Sequence, residues 1–274
     1  MNTNTTATAR GEDSAGADGR PMAYVAGPDG GPRGLVLVAD GIGGLDLCAG
    51  SLGRLVPQCR LPLEVRTVRW GHGVGRWLAD LTRSDNVARH AGQMAEQVRE
   101  FLGRHPEGPV FLVGKSGGAG VVLRALEGLP EGSVERVVLL APAVSPGYDL
   151  SKALRGVRRE LVVFISPLDF ALLGAGTWAF GTIDRVRGVG AGLVGFRGPD
   201  PGSMGGADAA AFAAKVRHVR WRPSMARVGY LGGHLAVDMP PFLRRYVVPL
   251  LKAGPVDLGA IVAGRPGSGS DSRG

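Results

Sequence analysis

Ser116 is the residue of this sequence whose neighbours best suit nucleophilic chemistry. It stands at the centre of Gly114-Lys115-Ser116-Gly117-Gly118, a full match to the pattern G-x-S-x-G. This pattern is typical of a nucleophile elbow, in which a serine occupies a sharp turn between a strand and a helix. Glycines two positions before and after the serine let the two backbones approach closely, because a Cβ atom there would clash. The pattern predicts a nucleophile, although a turn of small residues can also simply join a strand to a helix.

A serine nucleophile needs a general base and a carboxylate that orients the base. His234 suits the base, because it lies in a glycine loop between the last predicted strand and a predicted C-terminal helix. Asp169 follows a predicted strand and precedes His234, which gives the chain order Ser, Asp, His. Asp149 follows an earlier strand and is the alternative acid. The remaining histidines are expected to be structural or solvated, although one of them, His72, follows a strand and could line the site.

Two nucleotide-binding patterns resemble parts of this sequence and are both incomplete. A phosphate-binding loop ends in Gly-Lys-Ser, but the glycine that it needs five positions before Gly114, with four residues between them, is replaced by Pro109. A dinucleotide fold begins with a strand and a glycine loop, but the glycines at 41 and 43 lack a third glycine three residues later. We therefore expect no nucleotide cofactor.

The elements that must position these residues follow from runs of apolar residues separated by glycine-rich turns. Continuous apolar runs are typical of strands that are covered on both faces. The predicted strands cover residues 34–39, 63–68, 110–113, 134–140, 161–165 and 216–221, and the predicted helices about 48–58, 86–104, 150–155, 207–215 and 235–252, with a further helix after Ser116. Their alternation predicts an α/β fold with a mostly parallel central sheet and helices on both faces.

Composition divides the chain into one domain with less ordered ends. Residues 1–31 are polar and glycine-rich and are predicted to be disordered, and residues 255–274 are predicted to be a flexible tail. The intervening residues 32–254 form the predicted domain. Within this domain, residues 174–206 are rich in glycine and weakly patterned, which indicates a lid-like insert.

Charge and cysteine content limit the classes of function. The net charge is +8, but the arginines are scattered without interleaved aromatic residues, so we expect no nucleic-acid partner. No apolar run of about eighteen residues or signal peptide occurs, so we expect neither stable membrane insertion nor secretion. The two cysteines, Cys48 and Cys59, have no metal-binding spacing and indicate reduced thiols in a cytoplasmic protein. Nothing in the sequence implies a metal or predicts an oligomeric state.

Residues 34–252 resemble the α/β-hydrolase fold superfamily, which includes serine esterases, lipases and thioesterases. The resemblance rests on the G-x-S-x-G elbow, on Asp169 after a strand, on His234 before the last helix, and on the loop Asp40-Gly41-Ile42 after the first strand. It implies that Ser116 attacks an acyl carbonyl, that His234 relays the proton and that Asp169 holds the imidazole. It also implies that the oxyanion is bound by the backbone N–H of Gly117 and by that of Gly41 or Ile42.

The resemblance implies a serine hydrolase that cleaves an ester or thioester of a small-molecule acyl substrate through an acyl-enzyme, without a cofactor. Two alternatives remain open, a catalytically silent scaffold that binds a ligand or partner and an acyltransferase that uses the same triad. The sequence departs from the family pattern at Asp40, where a histidine often stands, and at Lys115 beside the serine. A carboxylate at Asp40 would repel an oxyanion, and Lys115 would lower the pKa of the serine or attract an anionic substrate.

Overall fold

The computed structural model describes residues 33–41, 46–70, 84–170, 182–198, 206–234 and 236–263. The predicted disordered segment 1–31 lies outside these residues. The described strands form one six-stranded sheet with the order β2-β1-β3-β4-β5-β6, and all neighbouring strands are parallel. The strands are β1 (Gly34–Ala39), β2 (Leu63–Thr67), β3 (Val110–Lys115), β4 (Val134–Leu140), β5 (Val157–Ile165) and β6 (Val216–Arg220). The predicted α/β class with a parallel sheet is confirmed.

The apolar runs form strands because both of their faces are covered. All residues of β1, β3 and β4 are buried. Alternate residues of each strand contribute to one of two apolar clusters on opposite faces of the sheet; Leu35 and Leu112, for example, face one cluster, and Val36 and Phe111 face the other. A parallel sheet with two covered faces explains why these strands lack the alternation of polar and apolar residues.

Helices cover both faces of the sheet. The helices are α1 (Leu47–Gln58), α2 (Ser84–Arg104), α3 (Gly118–Glu127), α4 (Ser151–Gly156), α5 (Ala191–Val194), α6 (Gly206–Lys215), α7 (beginning Pro240–Phe242) and α8 (Leu258–Ala263). Buried residues of α2 and α3 pack on one face of the sheet, and those of α1 and α7 pack on the other. In the part of the chain that the structure describes, no helix is long and apolar enough to cross a membrane.

The C-terminal helix is shorter and less regular than the predicted helix 235–252. Helix α7 begins at Pro240, continues as the π turn Leu243–Val247 and ends as the 3-10 turn Val248–Leu250. Proline is tolerated in the first helical turn, where its missing N–H has no intrahelical partner. Pro249 cannot donate an i→i−4 hydrogen bond, and the α-helical pattern has given way before it reaches this residue. Residues 236–239 form turns before Pro240 and are not helical, so the predicted start of the helix at residue 235 is wrong.

Two segments outside the predicted core pack against it. Leu258, Ile261 and Val262 of α8 contact the apolar cluster beneath α1 and α7, although residues from 255 onward were predicted to be a tail. Residues 182–198 of the predicted lid-like insert hydrogen-bond to the loop after β4, for example from Ile183 N–H to the Ala143 carbonyl at 2.9 Å. Residues 174–181 and 199–205 of that insert lie outside the described residues. The domain boundaries stay predictions.

The buried side chain of Arg136 connects the sheet to the segment that follows α7. Its Nε donates to Glu160 at 3.0 Å, its Nη1 donates to the carbonyls of Leu250 and Lys252 at 2.9 Å, and its Nη2 donates to the Gly254 carbonyl at 2.8 Å. A fully buried guanidinium is stable only when its charge is paired and its N–H groups are bonded. Arg136 therefore anchors the C-terminal segment to β4.

Replacing Arg136 by methionine is expected to lower the free energy of unfolding by about 3–5 kcal/mol, because it leaves three carbonyls and Glu160 without their donor. Denaturant unfolding measures this loss. The control is Arg124→Met, which removes an exposed i,i+3 pair with Glu127 and should cost less than about 1 kcal/mol. Equal losses in the two variants would contradict the anchoring role of Arg136.

Candidate active site

Ser116 lies on a strained turn between β3 and α3. Its φ of 51° falls in the left-handed region, which is uncommon for residues other than glycine. Its N–H donates to the Leu140 carbonyl of β4 at 2.9 Å, and its carbonyl accepts from Ala143 N–H at 3.0 Å. These bonds hold the turn in a conformation that a serine would otherwise avoid, and the side chain is almost buried.

The glycines around Ser116 are required by close backbone contacts. A Cβ atom on Gly118 would lie 2.6 Å from the carbonyl carbon of Ala39 in β1, and one on Gly114 would lie 2.8 Å from Cα of Ala119. Contacts of this length with backbone atoms cannot be relieved by a side-chain movement. The tertiary structure therefore bears out the steric explanation of the G-x-S-x-G pattern.

The predicted oxyanion donors lie around Ser116 as far as the structure describes them. A Cβ atom on Gly41 would lie 3.4 Å from Cβ and 3.9 Å from Oγ of Ser116, so the backbone of Gly41 borders the serine. Gly117 is at the N-terminal end of α3, where backbone N–H groups have no intrahelical partner. Ile42 lies outside the described residues.

His234 and Asp169 are brought together from two separate loops. Asp169 follows β5, His234 follows β6, and His234 Nδ1 lies 2.6 Å from Asp169 Oδ2. The Asp169 side chain is 2% exposed and that of His234 is 10% exposed, so the contact is shielded from water. This geometry fixes the imidazole ring, and with the proton on Nδ1 it leaves Nε2 as an acceptor.

The two loops also pack directly against each other. Gly232 has a φ of +90°, and a Cβ atom on it would lie 3.0 Å from both Cβ of Leu168 and Oγ of Ser166. Tyr230, which immediately precedes the histidine loop (residues 231–238), is buried, and burial raises the pKa of its phenol. Its carbonyl accepts a hydrogen bond from Trp221 Nε1 at 2.9 Å. These contacts hold the loop of His234 close to that of Asp169.

The other candidates occupy different positions. Asp149 is exposed, and its carboxylate accepts hydrogen bonds from the backbone N–H of Ser151 at 2.9 Å and from the Ser151 hydroxyl. These bonds lower the pKa of the carboxyl. In the described part of the chain, no hydrogen bond joins Asp149 to His234. His72 lies outside the described residues. Among the described residues, no hydrogen bond joins the Ser116 hydroxyl to His234, a contact that often tightens only when substrate binds.

The Asp40 carboxylate is directed at helix α1. Its oxygens accept from the N–H groups of Cys48 and Ala49 at 3.0 and 2.9 Å, at the positive end of α1. The Asp40 carbonyl also accepts from Trp70 Nε1 at 2.7 Å. The predicted repulsion of an oxyanion does not follow from this geometry, because the two N–H bonds occupy the carboxylate. Asp40 instead caps α1 beside the elbow.

Asp40 is expected to make stability fall as the pH rises. Burial raises the pKa of Asp40 from its ordinary value of 3.8 to about 6. The hydrogen bonds from the N–H groups of Ala49 and Cys48 lower the pKa, but by less than burial raises it. Between these two pKa values the folded state binds more protons than the unfolded state. The free energy of unfolding therefore falls by up to about 3 kcal/mol between pH 4 and 7 because of this group. Denaturant unfolding of the wild type and Asp40→Asn across this range measures the difference. Parallel curves would contradict this assignment.

A buried ion pair that the sequence analysis did not find connects the elbow to the histidine loop. Lys115 Nζ binds Asp238 Oδ2, and the side chains are only 8% and 1% exposed. Lys115 is therefore not available to attract an anionic substrate, as its position beside the serine had suggested. Asp238 was missed because it fell inside the predicted helix 235–252, and the Pro240-Pro241 pair was the signal that could have excluded it from that helix.

The described residues contain no group of three or more His, Cys, Asp or Glu side chains that could hold a metal ion. The described cysteines Cys48 and Cys59 form no disulfide with each other, and burial raises the pKa of the Cys48 thiol. What the site presents is therefore a serine on a strained turn, a histidine–carboxylate pair and backbone N–H groups. Such a set can perform nucleophilic acyl transfer.

Ser116, Asp169 and His234 follow three strands of one parallel sheet, β3, β5 and β6, in the chain order that α/β-hydrolases use. Residues 69–175 also match the model of the serine aminopeptidase family S33. The chain has the α/β-hydrolase fold. The matched segment of this α/β-hydrolase includes Ser116 and Asp169 and ends before His234, and it supports hydrolase activity in general.

The chain is similar to several solved structures at low sequence identity. They include LpqC, a poly(3-hydroxybutyrate) depolymerase from Bordetella parapertussis, with 13% identity, a TM-score of 0.49 and coverage of 85% of each chain. A predicted CIB-like hydrolase from Thermoplasma acidophilum has 15% identity and a TM-score of 0.41, over 80% of this chain and 86% of that one. RedJ thioesterase from Streptomyces coelicolor has 17% identity and a TM-score of 0.32, over 79% and 91%. No curated protein matches the sequence.

Proposed function

We propose that this α/β-hydrolase is a serine hydrolase that cleaves an ester or thioester through an acyl-enzyme. The observations that carry the proposal are the strained elbow of Ser116 and the buried pair of Asp169 and His234, which lie on loops at the same edge of the sheet. Strained backbone persists where the surrounding structure enforces it, and it concentrates at active sites. A turn that merely joined a strand to a helix would not need a serine at a φ of 51°.

In this mechanism the Ser116 hydroxyl attacks the acyl carbonyl while Nε2 of His234 accepts its proton. Asp169 holds Nδ1 of the imidazole, which selects the tautomer and stabilises the imidazolium. The oxyanion would be bound by the N–H of Gly117 and that of Gly41 or Ile42, each donor contributing about 2.7–4 kcal/mol to the barrier reduction. His234 then protonates the leaving group, and water attacks the acyl-enzyme with His234 as the base.

Exposed apolar side chains on the site loops support a substrate with an apolar acyl group. Within the described part of the chain, Leu168 and Phe170 flank Asp169 and Leu231 lies three residues before His234, and all three side chains are more than half exposed. Exposed apolar side chains beside candidate catalytic residues are consistent with binding of an apolar group. The proposed partner is thus a small-molecule acyl ester or thioester.

Labelling with a fluorophosphonate probe tests the function, because the probe needs an activated serine and little else from the pocket. We expect stoichiometric labelling of the folded wild type at Ser116, located by peptide mass spectrometry, and its loss in Ser116→Ala and His234→Ala. The control is Ser133→Ala, which removes a serine that bonds the Pro130 carbonyl and should leave labelling unchanged.

The alternatives give different outcomes in the same experiment. A folded wild type that does not label would overturn the proposal in favour of the silent scaffold. Labelling together with faster product formation when a small alcohol or amine is added would indicate transfer of the acyl group to an acceptor other than water. Labelling that survives Ser116→Ala would exclude Ser116 as the nucleophile.

A further inference from the structure

Lys115 and Asp238 connect the two segments that must meet for catalysis. Lys115 is the last residue of β3 and immediately precedes Ser116, whereas Asp238 follows His234 by four residues. Their ion pair therefore joins the nucleophile elbow to the histidine loop, which we define as residues 231–238. The two partners are 123 residues apart in the sequence, so the contact belongs to the tertiary structure alone.

The histidine loop has little backbone support of its own. Within the described residues of the loop, the backbone hydrogen bond is the one that the Ala236 carbonyl accepts from Met239 N–H at 3.4 Å. The loop is held by contacts with other segments: His234 on Asp169, the backbone of Gly232 against Leu168, the buried Val237 and the ion pair of Asp238. The position of His234 relative to Ser116 therefore depends on a few specific contacts.

The pair is poorly built for stability alone. Asp238 Oδ1 is buried and has no hydrogen-bond partner in the described part of the chain. A buried ion pair with an unsatisfied oxygen contributes less stability than well-packed apolar side chains of similar size would. A directional pair nevertheless fixes the relative position of two segments, and apolar contact specifies that position less strictly.

Lys115 interacts with carboxylates on two sides of the elbow. Its ammonium binds the Asp238 carboxylate and also attracts that of Asp40, which caps α1 on the other side of the elbow. These three ionisable groups link β3, the start of α1 and the histidine loop. The ammonium paired with Asp238 is thus a fixed anchor point for the loop.

We propose that the Lys115–Asp238 ion pair is a positioning device that sets the histidine loop, and with it His234, against the elbow of Ser116. The proposal rests on the proposed function for its catalytic consequence, and on geometry alone for its effect on the loop. Neither residue is assigned a contact with substrate. A misplacement of about 1 Å in a catalytic constellation can lower the rate about 100-fold.

The rate test compares variants of the pair with a matched buried carboxylate elsewhere. Asp238→Asn and Lys115→Met are expected to slow fluorophosphonate labelling and ester turnover about 10- to 100-fold, with kcat lowered and KM little changed. The control is Glu135→Gln, which removes a buried carboxylate that binds Arg159 at 2.6 Å at the start of β4. It should destabilise the fold and leave the labelling rate of the folded protein within about twofold of wild type.

A double variant separates positioning from stability. Lys115→Met/Asp238→Val replaces the pair by apolar side chains, which is expected to restore thermal stability toward the wild-type value. If the pair positions His234, the labelling rate of this variant stays at least about 10-fold below wild type. Recovery of both stability and rate would overturn the proposal, because the pair would then serve stability only.

Amide hydrogen exchange of residues 232–238 tests the loop independently of catalysis. We expect exchange in Asp238→Asn to be at least about 10-fold faster than in wild type at these amides, with no such change in Glu135→Gln. Unchanged exchange in Asp238→Asn would overturn the proposal even if the rate fell. If the wild type does not label, the proposed function fails, while the exchange result still decides whether the pair holds the loop.

Discussion

Replacing Ser116 by alanine is expected to lower the rate of ester hydrolysis by about 10⁴- to 10⁶-fold, because it removes the atom that forms the acyl-enzyme. Cβ of alanine occupies the place of the serine Cβ, so the elbow and its backbone hydrogen bonds remain. The residual rate would come from the oxyanion donors and substrate binding alone. Steady-state kinetics with an activated ester, at matched fractions of folded protein, measures the loss.

The histidine and the acid give companion variants of graded effect. His234→Ala is expected to match Ser116→Ala, and the double variant should be no slower than either single one, because residues that act as a unit are not additive. Asp169→Asn should lower the rate about 10⁴-fold, since an amide cannot hold His234 in the required tautomer. The control Asp149→Asn changes an exposed carboxylate that bonds Ser151 and should leave the rate unchanged. Additive effects of Ser116→Ala and His234→Ala would show that the two residues act independently.

Adding one methyl group at Gly118 is expected to displace the elbow. In Gly118→Ala the new Cβ would lie 2.6 Å from the carbonyl carbon of Ala39, and backbone at that distance must shift. We expect the free energy of unfolding to fall by about 1–3 kcal/mol, the usual cost of overpacking. We also expect loss of labelling, because the shift moves Ser116 away from Gly41 and His234. Denaturant unfolding and probe labelling measure the two effects.

Gly92→Ala is the matched control for this steric effect. Gly92 is exposed in the middle of α2, and a Cβ atom on it would meet nothing within 4 Å. Replacing such a helical glycine is expected to raise the free energy of unfolding by about 0.4–1 kcal/mol and to leave labelling unchanged. If Gly118→Ala proved as benign as Gly92→Ala, the close contact between the elbow and β1 would be wrong.

Local patterns were sufficient to predict the fold class and the strand ends where the candidate residues lie. Continuous apolar runs such as Val110–Val113 mark strands that are covered on both faces, and the flanking glycines mark turns that no other residue fits. Parallel strands bring their carboxyl ends to one edge of the sheet, so the loops after β3, β5 and β6 must converge. The positions of Ser116, Asp169 and His234 at this edge were therefore predictable from the chain, while their catalytic roles remain predictions.

Only the tertiary structure decided how the charges beside the elbow are arranged. The sequence places Asp40 and Lys115 beside the candidate site, but it cannot show that one caps α1 and the other binds Asp238. Side-chain direction and partner choice depend on contacts between distant segments, which leave no local periodicity to read. The tertiary structure also decided that His234 contacts Asp169 and not Asp149. Both carboxylates follow strands, but the packing of Gly232 against Leu168 brings the loop of His234 to Asp169.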